Sequence, residues 1–225
     1  YVHLSKQEMQ SQGRLRSLDE WISLAKQMKD AGTLFLLLTG GEPLLFHQFK
    51  ELYCALKDMG MILTLNTNGT LINEEWAEFF AKNKPRRINI TLYGSKNETY
   101  ENLCHMKDGF DKTIRGIELL KKYKIDVKIN GSLVKKNFHD RMEIIDIGEK
   151  YDIPVRIDTY MYPSVRERTT PFNFHERLNP EDAAKARVEI LHREMGDELF
   201  EQYAKQTIYL AEHTEEGDAC PGHMT

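Results

Sequence analysis

The chain has 225 residues, 40% of them hydrophobic, with 31 basic against 35 acidic side chains and a formal charge of -4. That length buries one sizeable core without asking for a second complete domain, and a pI near 6.1 gives no electrostatic footprint for nucleic acid. No segment approaches the roughly 20 apolar residues of a membrane span and no signal peptide is visible, so a cytoplasmic protein is expected.

In chain order, Ser17 and Glu20 are spaced as a capping box ahead of a predicted helix over 18–31, and Gly32 suits the left-handed position that closes it. An apolar strand over 34–38 leads into Thr39-Gly40-Gly41-Glu42-Pro43, and a helix over 48–59 closes at Gly60. A strand over 61–65 runs into Asn66-Thr67-Asn68-Gly69, and Asn73, with Glu74 and Glu75 in the first turn, caps a helix over 73–82. Strands over 87–92, 127–134 and 155–157 alternate with helices over 110–122 and 140–151, whose apolar residues recur three or four apart. The five strands read as too apolar to be half-exposed, and their alternation with helices implies a parallel sheet with right-handed crossovers, closed or open. Beyond Pro163, residues 164–180 are polar, arginine-rich and aperiodic, and 182–212 return to helical composition.

The glycine loop is the most informative stretch. Alone, Gly-Gly-Glu-Pro is more often a turn than a site. At the carboxyl end of a buried parallel strand, however, paired glycines let backbone approach a ligand and Glu42 adds a carboxylate, an arrangement suited to a small zwitterion. Other polar residues carry plainer readings. The Asn66 to Gly69 stretch reads as a turn, Tyr93 and Tyr100 as packing residues, and Arg156 with Asp158 as a pair at a strand end. His47, His105 and His139 lack ligand spacing; Cys54 reads as a core thiol, Cys104 has no metal partner nearby, and no CxxC pair occurs. By the period of two, Lys128, Asn130 and Ser132 share one face of their strand.

Taken together, Thr39-Gly40-Gly41-Glu42-Pro43, Leu65-Asn66-Thr67-Asn68-Gly69, Ile90-Thr91-Leu92-Tyr93-Gly94 and Gly109-Phe110-Asp111-Lys112-Thr113-Ile114 resemble a radical S-adenosylmethionine enzyme. The resemblance runs to about Pro163 and is closest to members with a C-terminal SPASM or twitch domain, many of which modify ribosomally made peptides. It implies an α/β fold, a partial (β/α)6 TIM-like barrel with a parallel sheet and outer helices. Residues 1–163 would supply its second to sixth strands, the first being absent from the chain, and residues 164–225 a polar loop and helical linker toward an auxiliary-cluster domain.

The cofactors implied are S-adenosylmethionine and a 4Fe-4S cluster. No CxxxCxxC loop occurs in the chain, and the resemblance places those ligands upstream of Tyr1. Gly40, Gly41, Glu42 and Pro43 would receive the methionine amino group, and Thr91 a ribose hydroxyl. Asn66 and Asn68 would face the same cavity, one of Lys128, Asn130 and Ser132 would meet the ribose or the carboxylate, and backbone around Met161 would read adenine. Cys220, followed by Pro221 and Gly222, resembles the opening of an auxiliary 4Fe-4S site. The chemistry implied is one-electron cleavage to a 5'-deoxyadenosyl radical that takes hydrogen from a peptide or small-protein substrate, with a flavodoxin or ferredoxin as electron donor. The arginines after residue 164 could guide an acidic peptide or form a solvated loop. Two alternatives stand beside this reading: a non-catalytic (β/α) barrel acting as a binding module or scaffold, and a lysine-dependent barrel lyase, for which Lys128 and Lys135 lack an evident acid-base partner.

Overall fold

Ser17 opens the first helix by the reciprocal arrangement its spacing implies: its Oγ accepts from Glu20 N–H, while Glu20 Oε2 accepts from Ser17 N–H at 2.8 Å. In the computed structural model, which describes residues 15–161 and 175–213, this helix α1 (Leu18–Asp30) precedes strand β1 (Phe35–Leu38) and a short 3-10 turn (Pro43–Leu45). There follow α2 (Phe49–Asp58), β2 (Ile62–Thr67), α3 (Glu74–Lys82), β3 (Arg87–Thr91), α4 (Asn97–Cys104), α5 (Gly109–Lys122), β4 (Val127–Ser132), a 3-10 turn (Phe138–Asp140), α6 (Arg141–Tyr151) and β5 (Val155–Asp158). The described chain ends with α7 (Pro180–Met195) and α8 (Asp197–His213).

The five strands pair in chain order, every pair parallel, each joined to the next through helix on one side of the sheet. This is the expected partial TIM-like barrel, an all-parallel sheet with outer helices. Register fixes which residues look outward. Leu36 and Leu38 pair with Leu63 and Leu65, Leu65 with Ile88, and Ile90 with Ile129. These side chains meet Tyr53, Leu56, Phe80, Ile117, Leu120 and Ile144 of the helices in one core cluster. Each fully buried Leu or Ile contributes about 1.5–3 kcal/mol relative to an exposed one.

The expectation that every strand is buried on both faces is corrected here. The inner face carries Thr64, Asn66, Arg87, Asn89, Thr91, Lys128, Asn130, Ser132, Arg156 and Asp158, all half-buried or exposed. Among the described residues no layer covers the concave side of the sheet, and its side chains are polar accordingly. β1 departs furthest: it is an edge strand, and Phe35 and Leu37 on the inner face are 67% and 48% exposed.

Two helical boundaries also differ from expectation. α4 was not foreseen: its sequence is mostly polar, and its buried residues are only Thr99, Tyr100 and Leu103. The helical composition of 182–212 resolves into α7 and α8, divided at Gly196, whose φ of 74° lies in the left-handed region. Asn73 caps α3 as expected, its Oδ1 accepting from Trp76 N–H at 3.0 Å. Asn73→Ala should cost about 1 kcal/mol in urea denaturation, the usual cost of losing such a cap. Among the described residues no helix is long and apolar enough to cross a membrane.

Candidate functional site at the carboxyl edge of the sheet

All four sequence motifs converge on the carboxyl edge, and a continuous hydrogen-bond path joins them. Glu42 is the first node. Its Oε1 accepts from Leu44 N–H at 3.1 Å and from the Thr67 hydroxyl at 2.8 Å, and its Oε2 accepts from Asn68 N–H at 2.8 Å. The carboxylate therefore caps the 3-10 turn of its own loop and ties that loop to the end of β2. Asn68 turns its side chain back on its own loop, Oδ1 accepting from both Thr70 N–H and Thr70 Oγ1. The Asn68 carbonyl accepts from Thr113 Oγ1 at 3.1 Å; that hydroxyl is within 3.3 Å of Tyr100 Oη, and Tyr93 N–H donates to Tyr100 Oη at 3.3 Å. Gly116 completes the contact, since a Cβ there would lie 2.5 Å from the Gly69 carbonyl oxygen.

Sequence reasoning missed two further nodes. Asn137 is fully buried; its Nδ2 donates to the carbonyls of Tyr93 at 2.9 Å and Ser132 at 3.1 Å, and its Oδ1 accepts from Val134 N–H at 2.7 Å. It sets the spacing between the ends of β3 and β4. Asp140, 2% exposed, accepts from Ser95 N–H and Thr99 Oγ1 at one carboxylate oxygen and lies 3.2 Å from His139 Nε2 at the other. Asn137 lies in the loop after β4, and Asp140, expected at the start of the helix over 140–151, ends the 3-10 turn ahead of α6; at neither position does composition alone separate a buried hub from a solvated side chain.

Within this frame Asn66, Thr91, Asn130 and Ser132 share the inner face, whereas Asn68 does not point its side chain there. Asn66 Oδ1 accepts from Asn89 Nδ2 at 2.7 Å, Thr91 pairs in register with Asn130, and Ser132 with Asp158. Among the described residues Asn130 Oδ1 is buried with no hydrogen-bond partner, an acceptor held without a donor in the middle of the polar face. Arg156 and Asp158 do pair, at 3.1 Å, and with Tyr160 they line a cavity of about 530 Å3 between β5 and α7. Met161 is half-buried three residues past β5; Cys220 lies outside the described residues, as does the 163/164 boundary.

Gly40 and Gly41 differ from the packing glycines. A Cβ at either would meet no heavy atom within 4 Å, whereas at Gly94 one would lie 2.4 Å from Thr99 Cγ2. At Gly40 the φ of 157° itself favours glycine, but at Gly41 nothing among the described residues demands a bare backbone, and the loop faces open space at the same sheet edge. A polar zwitterion with a sugar fits such an edge: amide backbone and carbonyls at one end, hydroxyl and amide side chains along the face. Among the described residues no group of three His, Cys, Asp or Glu side chains is placed to hold a metal ion, so these residues fit the nucleoside part of the implied cofactor pair and supply no cluster ligands. Burial pushes the Tyr93 hydroxyl up to about 12, with smaller contributions from Cys104 and Glu42, and pushes the Cys104 thiol up to about 11.

The same three donors set what Glu42→Gln should do. Leu44 N–H and Thr67 Oγ1 donate to one oxygen and Asn68 N–H to the other, so an amide group must turn its own N–H toward a donor on one side. We expect a loss of about 1–3 kcal/mol, the cost of an unsatisfied buried donor, read as a lower urea midpoint.

The model of the Radical SAM superfamily matches residues 3–148. The chain is 29% identical over 132 residues to the AdoMet-dependent heme synthase of Methanosarcina barkeri, covering 59% of this chain and 38% of that protein. It is 33% identical over 108 residues to the cysteine-type anaerobic sulfatase-maturating enzyme of Clostridium novyi, covering 44% of this chain and 28% of that one. The chain thus spans well under half the length of these relatives. In structure it resembles native anSMEcpe with bound AdoMet and the Cp18Cys peptide, with a TM-score of 0.64 at 23% identity over 80% of this chain and 52% of the other. Members of this family bind S-adenosylmethionine and a 4Fe-4S cluster, and its related members are enzymes. With the family model covering most of the residues that build β1 to β4 and their helices, the chain belongs to the radical SAM superfamily.

Proposed function

We propose that this chain is the S-adenosylmethionine-binding barrel of an enzyme that modifies a ribosomally made peptide or a small protein. The observation that carries the cofactor reading is the presence, at one edge of the sheet, of an open loop at Gly40 and Gly41 and, on the polar inner face at β4, of Asn130 Oδ1, buried without a partner among the described residues. Gly40 to Pro43 would receive the methionine amino group on backbone carbonyls. The Glu42 carboxylate, already engaged by three protein donors, would hold the loop and add negative potential. Asn130 would accept from a ribose hydroxyl, with Thr91 beside it in register, Asn66 and Ser132 flanking, and backbone near Met161 reading the base. When bound, the cofactor pair supplies a carbon-centred radical that abstracts hydrogen from substrate. The chain's own residues would position and desolvate the reacting groups, and burial pushes the Tyr93 hydroxyl and the Cys104 thiol further above neutral pH.

The peptide-modifying part draws on the peptide-bound structural relative and on the likeness to SPASM-type enzymes. On that reading residues 1–163 form the barrel and 164–225 lead to an auxiliary-cluster domain, with Cys220 as a ligand there. A flavodoxin or ferredoxin would donate the electron, in the cytoplasm. Calorimetric titration of the chain with S-adenosylhomocysteine tests the cofactor site. Binding that weakens about tenfold or more in Asn130→Leu, with an unchanged circular dichroism spectrum, is the expected result, since a hydrogen bond to a buried acceptor is worth about 0.5–1.5 kcal/mol and the leucine also obstructs the face. A folded chain that binds no nucleoside would overturn the reading.

A further inference from the structure

Helix α4 and the ends of β2 and β3 enclose a second concavity on the same rim, of about 230 Å3. Leu103 and the Tyr100 ring, both buried, lie at its base; the Tyr93 ring meets Tyr100 edge to face at 5.8 Å, and Met106 lines it as well. Its polar margin is Asn68 and Thr70, which are already bonded to each other through Asn68 Oδ1. Its titratable groups are Tyr93, Tyr100 and Cys104, all neutral in their ordinary range and pushed further up by burial, so no charged side chain lines it. The cavity is continuous with the candidate site's frame: Asn68 N–H donates to Glu42, and the Tyr93 hydroxyl is close enough to feel the Glu42 charge.

Size and polarity narrow what can enter. Pockets for whole small molecules run from about 300 to 1,000 Å3, so this one is below the range for a nucleotide or a tetrapyrrole and suits a single side chain. Aromatic edges and a thioether favour apolar or aromatic groups, while an ion entering would lose its hydration with no charged side chain in the lining to pair with it. We infer that this cavity is a specificity subsite that seats one uncharged apolar or aromatic side chain of the peptide substrate beside the Gly40 to Pro43 loop. The inference deepens the peptide-modifying reading and rests on it.

The test uses N-acetyl amides of phenylalanine, leucine, tryptophan, aspartate and lysine, titrated into the chain labelled with 13C at methionine methyls, with the Met106 signal assigned through Met106→Leu. The phenylalanine and leucine amides should shift the Met106 signal saturably, with the charged amides at least tenfold weaker. Cys104→Phe should fill the space and abolish the shift, and Leu103→Ala should move preference toward the tryptophan amide, so that one variant remains informative if the other misfolds. Equal binding of charged and apolar amides, or apolar binding unchanged in a folded Cys104→Phe variant, would overturn the subsite. S-adenosylhomocysteine titrated into the same samples separates the two readings. Nucleoside binding without any amide response sinks the subsite alone, and amide response without nucleoside binding sinks the cofactor reading while leaving a side-chain pocket.

Discussion

Gly41→Val should eliminate S-adenosylmethionine binding and leave the protein as stable as the parent. The two halves of that result come from one observation. A Cβ at Gly41 meets no heavy atom of the described residues within 4 Å, and Gly41, unlike Gly40, has no positive φ, so the substitution starts in open space and without backbone strain. Surface substitutions of that kind usually stay within about 0.5 kcal/mol. The same methyl groups would stand where a ligand's amino group has to approach the loop carbonyls, and several lost charge-assisted contacts at about 1.5–3 kcal/mol each amount to a hundredfold or greater loss of affinity. Calorimetry with S-adenosylhomocysteine and thermal unfolding followed by circular dichroism measure the two quantities on one sample. A variant that is stable and binds like the parent makes the loop a simple turn and removes the site assignment.

The chain order of strands and helices was legible because apolar runs and helical periodicity are local signals, and Ser17, Asn73, Gly32 and Gly60 mark their ends by chemistry that acts over one turn. The division of labour within the motifs was not legible. Glu42 and Asn68 read as site residues in sequence, and Thr113 lies in one of the motifs, yet their polar atoms are used to lock one loop to the next. Such a role depends on partners 25 to 45 residues away, which no window of sequence contains. The half of the alternation that faces inward was readable for β4, where Lys128, Asn130 and Ser132 alternate with apolar residues. It was misread for β1, because four consecutive apolar residues carry no sign of which face lies open. Asn137 and Asp140 were invisible for a different reason: polar residues in a loop are normally solvated, and burial of 98% or more is a property of the packed rim.

Asp140 is where that rim is most vulnerable, and Asp140→Ala should cost more stability than any surface change in the chain. One of its oxygens serves both Ser95 N–H and the Thr99 hydroxyl, so alanine strands two donors in a buried setting at about 1–3 kcal/mol each, a large share of the 5–15 kcal/mol typical of a domain. Asp140→Asn should be far milder. Its amide oxygen can take the position of Oδ2 and keep both donors, while its N–H faces His139 Nε2, which can accept when neutral. Gly94→Ala attacks the same junction from the opposite side, since the new methyl would lie 2.5 Å from that carboxylate oxygen and 2.4 Å from Thr99 Cγ2, an overpacking worth about 1–3 kcal/mol. Because the methyl and the carboxylate compete for one space, the double variant Gly94→Ala with Asp140→Ala should lose less than the sum of the singles, by more than about 0.5 kcal/mol. Urea denaturation of the four proteins measures this coupling. Strict additivity would mean that Gly94 and Asp140 do not share the contact that holds the end of β3 against α4, and that the rim of the site is positioned by something else.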